Sequence, residues 1–318
     1  MCNPNHSDRI AIHLAAIAEA IYVKTLTAPS IGILSQELSP TVSGIFGNHS
    51  SYIAASYVKY VEGAGGRVVP IWVNQTESYY REVISRINGL LLPGGASYFT
   101  NTDGYAAAGE ILYNLTVGLN ENGDYFPLWS TCLGFELMLY LAAGQREHRC
   151  SCSANDVALP LEFTHDFNES SLFGAAPENI ITALGSQNIT ADYHNFCVTQ
   201  KNLTEFGLSG QWHVLSVNHD INGLEFISSI QSRLYPFYGV IFHPEKNAYE
   251  WKSNKNIPHS SDAVVAMQYF ANFFVNEARK NFHSFPTAES EESALIYKYT
   301  PTYTGDHLIY EQCYFFDY

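Results

Sequence analysis

Residues 125–136 read YFPLWSTCLGFE, a short apolar run that leads into a cysteine and a glycine. A run of this kind is typical of a buried strand. The following residues, 137–143, have the composition of a helix, which Gly144 would end. The segment therefore predicts a sharp corner between a strand and a helix, with Cys132 at that corner.

The residues upstream of this corner alternate between short apolar runs and stretches with helical spacing. Such alternation indicates parallel strands joined by crossover helices, and hence an α/β fold. The expected strands are residues 30–34, 67–73 and 89–92. The expected helices are residues 51–64, 77–87 and 104–119.

The residues downstream are less regular up to about position 235, where exposed loops and antiparallel strands over 213–218 and 224–230 are expected. Residues 238–242 then predict a strand that enters His243-Pro244-Glu245. Residues 262–280 predict a long amphipathic helix capped by Ser261 or Asp262. The acidic residues 289–292 fit either a solvated turn or a short helix.

The composition indicates how large a core the protein can form and which classes of partner it can bind. The chain has 318 residues, 46% hydrophobic and 15% charged, with a formal net charge of −15. This suffices for a sizeable core, and we expect residues 30–318 to form one domain. The negative charge argues against binding to nucleic acid or to anionic membranes. We therefore expect the partner to bind in a pocket. No stretch supplies the roughly 20 apolar residues of a transmembrane helix, so a soluble mature protein is expected.

The N-terminus resembles a targeting segment. Arg9 precedes an apolar run, and Ala18-Glu19-Ala20 fits a small-x-small cleavage site, so residues 1–20 are expected to be a signal peptide. His13 and Glu19 are unusual in such a segment, and a frayed amphipathic helix is the alternative.

Sequons of the form N-x-S/T give a second, independent indication of secretion. The sequon at Asn5 would leave with the signal peptide and carries no weight. The expected glycosylation sites are Asn48, Asn74, Asn114, Asn168, Asn188 and Asn202. The expected location is the lysosome or vacuole and the extracellular space, reached through the secretory pathway.

The six cysteines are too few and too scattered for a disulfide scaffold in a chain of this length. Cys150-Ser-Cys152, with His148 nearby, has some likeness to a metal site. However, the spacing lacks a second matching pair, so no metal is predicted. A disulfide or a buried thiol is the preferred interpretation.

Cys132 has the surroundings of a nucleophile. A cysteine at a strand-to-helix corner exposes its sulfur at the carboxyl edge of the sheet, and the helix N-terminus behind it favours the thiolate. The N–H of Leu133 would point at the incoming carbonyl, and Gly134 would permit close packing. Taken alone, Cys132 fits equally well as a small buried hydrophobic residue.

Two further strand ends carry sequences suited to the same chemistry. Pro93-Gly94-Gly95 could be a simple turn, yet beside Cys132 its unshielded N–H groups would supply a second oxyanion donor. His243-Pro244-Glu245 could hold a surface histidine, or a general base oriented by a carboxylate. Because open α/β sheets place their sites at strand carboxyl ends, we expect these segments to meet.

At this level of detail the chain resembles the γ-glutamyl hydrolase family, peptidase family C26, within the class I glutamine-amidotransferase-like superfamily. The resemblance covers nearly everything from residue 30 onward. It departs at Leu137, where relatives often carry a second acidic residue, and at Phe242, where an indole is common. The matching segments are residues 51–60 (SYIAASYVKY), 92–95 (LPGG), 131–136 (TCLGFE), 238–240 (YGV), 243–246 (HPEK), 249–251 (YEW), 273–279 (FFVNEAR) and 312–314 (QCY).

The resemblance implies a three-layer α/β/α sandwich with a mostly parallel central sheet, flavodoxin-like, with the nucleophile at a strand-to-helix elbow. It also implies Cys132 as nucleophile, His243 as general base and acid, and Glu245 as the residue that orients His243. A homodimer without metal or cofactor is expected. The oxyanion or the substrate would contact Gly94, Gly95, Leu133, Glu136 and His194.

Some roles stay open. His194 fits a packing or substrate-orienting role as well as a catalytic one. Asn114 and Asn202 fall where the family carries glycans. Because the substrate is polyanionic and the protein is acidic, Lys59 or Lys246 would offset the repulsion.

The expected reaction is cleavage of folylpoly-γ-glutamates and antifolate polyglutamates through a thioester on Cys132. The main alternative is a glutaminase domain that releases ammonia from glutamine for a synthetase. A second alternative is a catalytically silent relative that only binds γ-glutamyl ligands. Residues 145–190 match the family poorly, which leaves substrate preference more open than reaction type.

Overall fold

The computed structural model describes residues 26–99 and 103–318. The predicted signal peptide, residues 1–20, and the sequon at Asn5 lie outside these ranges. The strands are β1 (Ser30–Leu34), β2 (Ser51–Ala54), β3 (Arg67–Ile71), β4 (Gly89–Leu92), β5 (Leu128–Thr131), β6 (Cys150–Leu159), β7 (Glu162–Phe163), β8 (Thr190–Cys197), β9 (Trp212–His219), β10 (Glu225–Ser232), β11 (Phe237–Val240), β12 (Thr302–Tyr303) and β13 (Gln312–Phe316).

The helices connect these strands in the alternating order that the sequence predicts for the first half of the chain. No helix within the described ranges is long and apolar enough to cross a membrane. The α-helices are α1 (Pro40–Phe46), α2 (Ala55–Gly63), α3 (Glu77–Ile84), α4 (Gly104–Glu121), α5 (Leu133–Ala142), α6 (Glu178–Ser186), α7 (Gln200–Glu205), α8 (Lys246–Tyr249), α9 (Ser261–Ala278) and α10 (Ala288–Ala294).

The central sheet of the described residues has eight strands in the order β3-β1-β4-β5-β11-β10-β9-β7. From β3 to β11 the neighbouring strands are parallel, and from β11 to β7 they are antiparallel. The carboxyl ends of β4, β5 and β11 therefore lie at one edge of the sheet, side by side. This confirms an α/β fold with a mostly parallel sheet.

Alternate residues of the central strands face opposite sides of the sheet, since Leu91 packs in one apolar cluster and Leu90 and Leu92 pack in another. Residues of α2 and α9 share the cluster of Leu91. Residues of α3, α4 and α5 share the cluster of Leu90. The three-layer arrangement is therefore confirmed.

Residues 51–54 are wrongly predicted as the start of a helix. They form β2, which pairs antiparallel with β13, a strand at the C-terminal end of the chain. Ser51–Ala54 pair with this distant strand, while Tyr52 exchanges backbone hydrogen bonds with Gln36 on its other side. The helix begins only at Ala55. The shift places Tyr57 in the first turn of α2, where its side chain reaches the sheet edge.

The other differences are smaller. Helix α9 is capped by Ser260, one residue before the two predicted positions, because the Ser260 hydroxyl accepts from the N–H of Ala263 at 3.1 Å. The acidic residues 289–292 lie in α10, as the helical alternative proposed. The irregular middle of the chain contains a separate antiparallel pair, β6 with β8.

Candidate active site

Cys132 lies between β5 and α5, at the predicted strand-to-helix corner. Its backbone has a φ of 50°, which is uncommon for a residue other than glycine. The N–H of Cys132 donates to Val240 at 2.9 Å, and its carbonyl accepts from Glu136 at 3.0 Å. These bonds hold the strained corner on both sides. Strain of this kind, of the order of 1–3 kcal/mol, is concentrated at functional sites.

Gly134 allows the corner to pack against the neighbouring strand end. A Cβ at this position would lie 2.1 Å from the carbonyl oxygen of Leu92, a separation that no real side chain shows. The first turn of α5 therefore lies directly on the end of β4. This contact brings Cys132 to the Pro93-Gly94-Gly95 turn.

The strand ends converge around Gly94. A Cβ at Gly94 would lie 2.7 Å from Cε1 of His243, 2.7 Å from the hydroxyl of Tyr57 and 3.0 Å from Cβ of Cys132. These atoms therefore surround one point at the sheet edge, although the residues are far apart in sequence. The structure brings Cys132 and His243 together, as the strand-end argument predicts.

His243 is held in a defined tautomer. Its Nδ1 lies 2.6 Å from Oε1 of Glu245, and its backbone N–H donates to Ala191 of β8 at 2.9 Å. Burial tends to raise the pKa of Glu245, but His243 and Lys246 outweigh it and the pKa is lowered. Because ionised Glu245 can only accept, Nδ1 carries the proton and Nε2 is the basic nitrogen.

The thiol and the imidazole are both neutral at rest. Burial, together with Glu136 and Glu245, raises the pKa of Cys132 well above its usual range, and the N–H of Leu133 opposes this effect only in part. Burial also lowers the pKa of His243, although Glu245 opposes it. The helix N-terminus favours the thiolate as expected, through the N–H of Leu133, but desolvation and two carboxylates outweigh it in the free protein.

The expected oxyanion donors differ in their availability. The N–H of Leu133 lowers the pKa of the Cys132 thiol and so favours the thiolate, although burial outweighs it. The N–H of Gly94 is not free, because it donates to the hydroxyl of Tyr57 at 2.8 Å. Gly95 packs tightly against Gln36, whose Oε1 lies 1.8 Å from where a Cβ would be.

Tyr57 is a site residue that the sequence reasoning missed. Its hydroxyl accepts from Gly94 and lies 3.3 Å from Nδ1 of His243. Tyr57 belongs to the SYIAASYVKY segment, which carries the family resemblance, but the sequence gives no chemical reason to select it. The misplaced start of α2 also hid its orientation.

Glu136 lies one helical turn beyond Cys132 and is 4% exposed. Its Oε2 accepts from Arg149 at 2.7 Å. The Arg149 guanidinium is stacked between the rings of Phe99 and Phe196, at 4.2 and 4.6 Å. Burial raises the pKa of Glu136 although Arg149 opposes this effect. Glu136 therefore belongs to an ion-pair cluster that influences Cys132.

His194 is buried on β8, with both ring nitrogens facing acceptors. Nε2 lies 3.2 Å from Oδ1 of Asp192, and Nδ1 lies 3.0 Å from the carbonyl oxygen of Phe196. Nδ1 also lies beside a disulfide between Cys152 and Cys197. The disulfide interpretation of the cysteine pattern therefore holds for Cys152, with a partner that the sequence did not identify.

The two candidate lysines are both engaged. Nζ of Lys59 donates to Gln312 at 2.8 Å. The side chain of Lys246 is 1% exposed, with Nζ 4.0 Å from Glu245 and 4.5 Å above the ring of Tyr310. Lys246 is therefore buried, and its ammonium faces the carboxylate that orients His243.

The six expected glycosylation sites lie at the surface, and Asn202 is the least exposed of them. The Asn202 side chain forms a capping box with Thr199 at the start of α7. The exposed sites are Asn48, Asn74, Asn114, Asn168 and Asn188.

Comparisons with solved structures give weak overall similarity. A protein of Thermoplasma acidophilum assigned to GMP synthase matches 79% of this chain and 94% of its own, with 14% identity and a TM-score of 0.44. A glutamine amido transferase from Methylobacillus flagellatus matches 81% of this chain and 96% of its own, with 9% identity and a TM-score of 0.38.

Comparisons with curated sequences are much closer. Human gamma-glutamyl hydrolase is 43% identical, over 92% of this chain and 91% of its own length. Gamma-glutamyl hydrolase B of Dictyostelium discoideum is 40% identical, over 96% of this chain and 88% of its own length. Gamma-glutamyl hydrolase 2 of Arabidopsis thaliana is 35% identical, over 91% and 83%. The family model of peptidase C26 matches residues 29–245, which include the Cys132, Gly94 and His243 segments. The chain therefore belongs to the peptidase C26 family.

Proposed function

We propose that this protein is a cysteine hydrolase that cleaves γ-glutamyl amide bonds, with Cys132 as nucleophile and His243 as base. The observation that carries the proposal is the convergence of Cys132 and His243 around Gly94, with Glu245 behind the imidazole. Membership of the peptidase C26 family supports the same reaction. So do relatives named gamma-glutamyl hydrolase that match over nine tenths of the chain.

The reaction begins from the neutral thiol and imidazole. As the sulfur of Cys132 attacks the γ-carbonyl, Nε2 of His243 takes the thiol proton and Glu245 stabilises the resulting imidazolium. The N–H of Leu133 donates to the developing oxyanion. The amine leaves with the proton from His243, and water then hydrolyses the thioester with His243 again as base.

The substrate class that we propose is folylpoly-γ-glutamate, together with antifolate polyglutamates. The relatives named gamma-glutamyl hydrolase support the scissile bond, and the sequence resemblance supports the folate moiety. The glutaminase alternative is not favoured, because the relatives that match almost the whole chain are named for γ-glutamyl hydrolysis.

We also propose that the protein is a glycosylated homodimer of the secretory pathway, found in the lysosome or vacuole and outside the cell. The exposed sequons and the signal-like N-terminus support this location. Treatment of the protein from its native source with an N-glycosidase should increase its electrophoretic mobility. An unchanged mobility would contradict the glycosylation.

Incubation with folate pentaglutamate tests the proposed reaction. The native chain should release shortened folates, and Cys132→Ala should release none. Cys150→Ser is the matched control, because it removes a partly exposed thiol outside the site and should leave the rate unchanged. Ammonia release from glutamine, with intact folate pentaglutamate, would overturn the proposal in favour of a glutaminase.

A further inference from the structure

A second cluster of reactive side chains lies on β6 and β8. None of its members carries a step of the proposed reaction, although His194 is among the expected substrate contacts. The cluster consists of Cys152, His194 and Cys197, whose ligand atoms all lie within 4.8 Å of one another. We propose that these three residues form a binding site for Zn²⁺, which becomes available when the Cys152–Cys197 disulfide is reduced.

The spacing of the three side chains already suits zinc. Nδ1 of His194 lies 3.6 Å from the sulfur of Cys152 and 3.5 Å from the sulfur of Cys197. In a tetrahedral zinc site with usual bond lengths, sulfur and nitrogen ligands lie about 3.6 Å apart. Only the two sulfurs must separate, to about 3.8 Å, once their bond is broken.

The carboxylate of Asp192 orients His194 from the side of the ring opposite the two sulfurs. Nε2 of His194 lies 3.2 Å from Oδ1 of Asp192, whose other oxygen accepts from the Thr190 hydroxyl at 2.9 Å. Zinc-binding histidines usually donate their second N–H to a carboxylate in this way. Nδ1 is then the nitrogen directed toward the sulfurs, and it would leave the Phe196 carbonyl to bind the metal.

The scaffold should keep the ligands together after reduction. Strands β6 and β8 pair antiparallel from Cys150 opposite Cys197 to Leu159 opposite Thr190, with an irregularity between Ser151 and Ala154, where Cys152 lies. His194 and Cys197 are buried, whereas Cys152 is partly buried. We expect the metal to enter on the side of Cys152 and to take a water molecule as fourth ligand.

The chemistry balances with a protein dithiol as reductant. The reductant gives two electrons and two protons to the Cys152–Cys197 disulfide and becomes a disulfide itself. Zn²⁺ then replaces the two thiol protons, which pass to solvent, and any proton on Nδ1 of His194 is released with them. The disulfide and the metal therefore exclude one another.

The test measures metal binding by the whole chain. The protein is reduced with a phosphine, desalted under nitrogen and titrated with Zn²⁺ against a chelator, and with Co²⁺ by absorption spectroscopy. One metal should bind per chain, with thiolate-to-cobalt charge transfer. The oxidised chain should bind none at this site. Failure of the reduced native chain to bind metal would overturn the proposal.

Variants separate this site from the other thiols. Cys132→Ala and Cys150→Ser should keep the native metal affinity and spectrum, whereas Cys152→Ser and Cys197→Ser should lose the charge-transfer band. Asp192→Asn, which keeps all three ligands, should weaken binding by about 10–100-fold. Loss of binding in Cys132→Ala, or native binding in Cys152→Ser, would overturn the assignment.

Discussion

The hydroxyl of Tyr57 connects two parts of the site that come from different strands. It accepts from Gly94 at the end of β4 and lies beside the His243 imidazole at the end of β11. The proposed reaction gives Tyr57 no bond to form and no proton to transfer. Tyr57 is therefore a positioning residue, which fixes the distance between the glycine turn and the imidazole.

Tyr57→Phe should separate these two parts without a large change of volume. The Gly94 N–H would lose its acceptor in a buried place, which costs about 1–3 kcal/mol. We expect kcat to fall about tenfold or more and the free energy of unfolding to decrease by that amount, as measured by steady-state kinetics and urea unfolding.

Tyr60→Phe is the matched control for Tyr57→Phe. Tyr60 lies on the same helix and is 2% exposed, and within the described part of the chain its hydroxyl has no hydrogen-bond partner. Removal of this hydroxyl should leave kcat unchanged and should not reduce stability. Equal kcat values for the two variants would refute the role given to Tyr57.

The pH dependence of the reaction should reflect His243. Its pKa is lowered below the ordinary value of about 6.5, so the basic form persists into mildly acidic solution. kcat/KM should therefore stay high as the pH falls through 6.5 and should decrease only below it. A profile in which kcat/KM already falls as the pH drops from 8 to 6.5 would contradict the lowered pKa of His243.

Glu245→Gln should move the acid limb of the kcat/KM profile to lower pH. The carboxylate raises the pKa of His243, so its removal lowers that pKa again. It also removes the charge that stabilises the imidazolium, and kcat should fall by about 10²–10⁴. The check is a profile of kcat/KM against pH for both enzymes. An acid limb that moves to higher pH would be inconsistent with this arrangement.

At the scale of single elements, the close packing of α5 on β4 determines where Cys132 lies. Gly134→Ala would force a methyl group into the Leu92 carbonyl, a backbone atom that cannot turn away. The cost should exceed the 1–3 kcal/mol typical of overpacking, and kcat should fall as Cys132 is displaced. Urea unfolding and a kinetic assay of the same preparation measure both effects.

Gly118→Ala, on the neighbouring helix α4, is the control for Gly134→Ala because it adds a methyl group where there is room for it. Gly118 lies in α4, and a Cβ there would meet nothing within 4 Å. The substitution should stabilise the protein by up to about 1 kcal/mol, because alanine favours the helix. If Gly134→Ala were as harmless as Gly118→Ala, the packing of α5 would not control the site.

The sequence predicts some elements better than others for a physical reason. The strands β1, β4 and β5 and the helices α3 to α5 follow local apolar patterns, and their boundaries are within a few residues of those expected. The prediction of a helix at residues 51–54 was wrong because β13, the strand that pairs with β2, is distant in sequence. The β6–β8 pair was missed for the same reason, and with it the identity of Cys197 as the disulfide partner of Cys152.

In the site too, features that follow from local sequence could be predicted, and features that depend on contacts between distant residues could not. Cys132, Gly94 and His243 could be predicted to meet, because each follows a strand whose end lies at one edge of the sheet. The contact of Tyr57 with Gly94 depends on how α2 enters the sheet, and no local pattern contains it. The protonation of Cys132 depends mainly on its complete burial, and also on the carboxylates of nearby Glu136 and distant Glu245. The extent of burial cannot be read from the sequence.

At the scale of the whole molecule, the C-terminal residues complete the fold on the side of Tyr57. Strand β13 pairs with β2, which leads directly into α2. Phe316 of β13 is fully buried in the cluster that contains Tyr57. The end of the chain therefore supports the site from outside the segment that matches the peptidase C26 model, residues 29–245.

Phe316→Ala should destabilise the whole molecule by about 3–5 kcal/mol, because it leaves a cavity in this cluster. Tyr303→Ala, on β12, is the control, since Tyr303 is 57% exposed and its loss should cost about 0.5 kcal/mol or less. Urea unfolding of both variants measures the difference. Similar values would mean that the C-terminal strand contributes little to the fold.

The thioester on Cys132 is the central claim, and acid-quench mass spectrometry tests it most directly. A γ-glutamyl substrate is mixed with the enzyme, the reaction is stopped in acid within one turnover, and the peptide that contains Cys132 is weighed. The peptide should carry the γ-linked acyl group, and hydroxylamine should remove it. Substrate cleavage with no acyl group on Cys132, or with the group on another residue, would contradict the proposed mechanism.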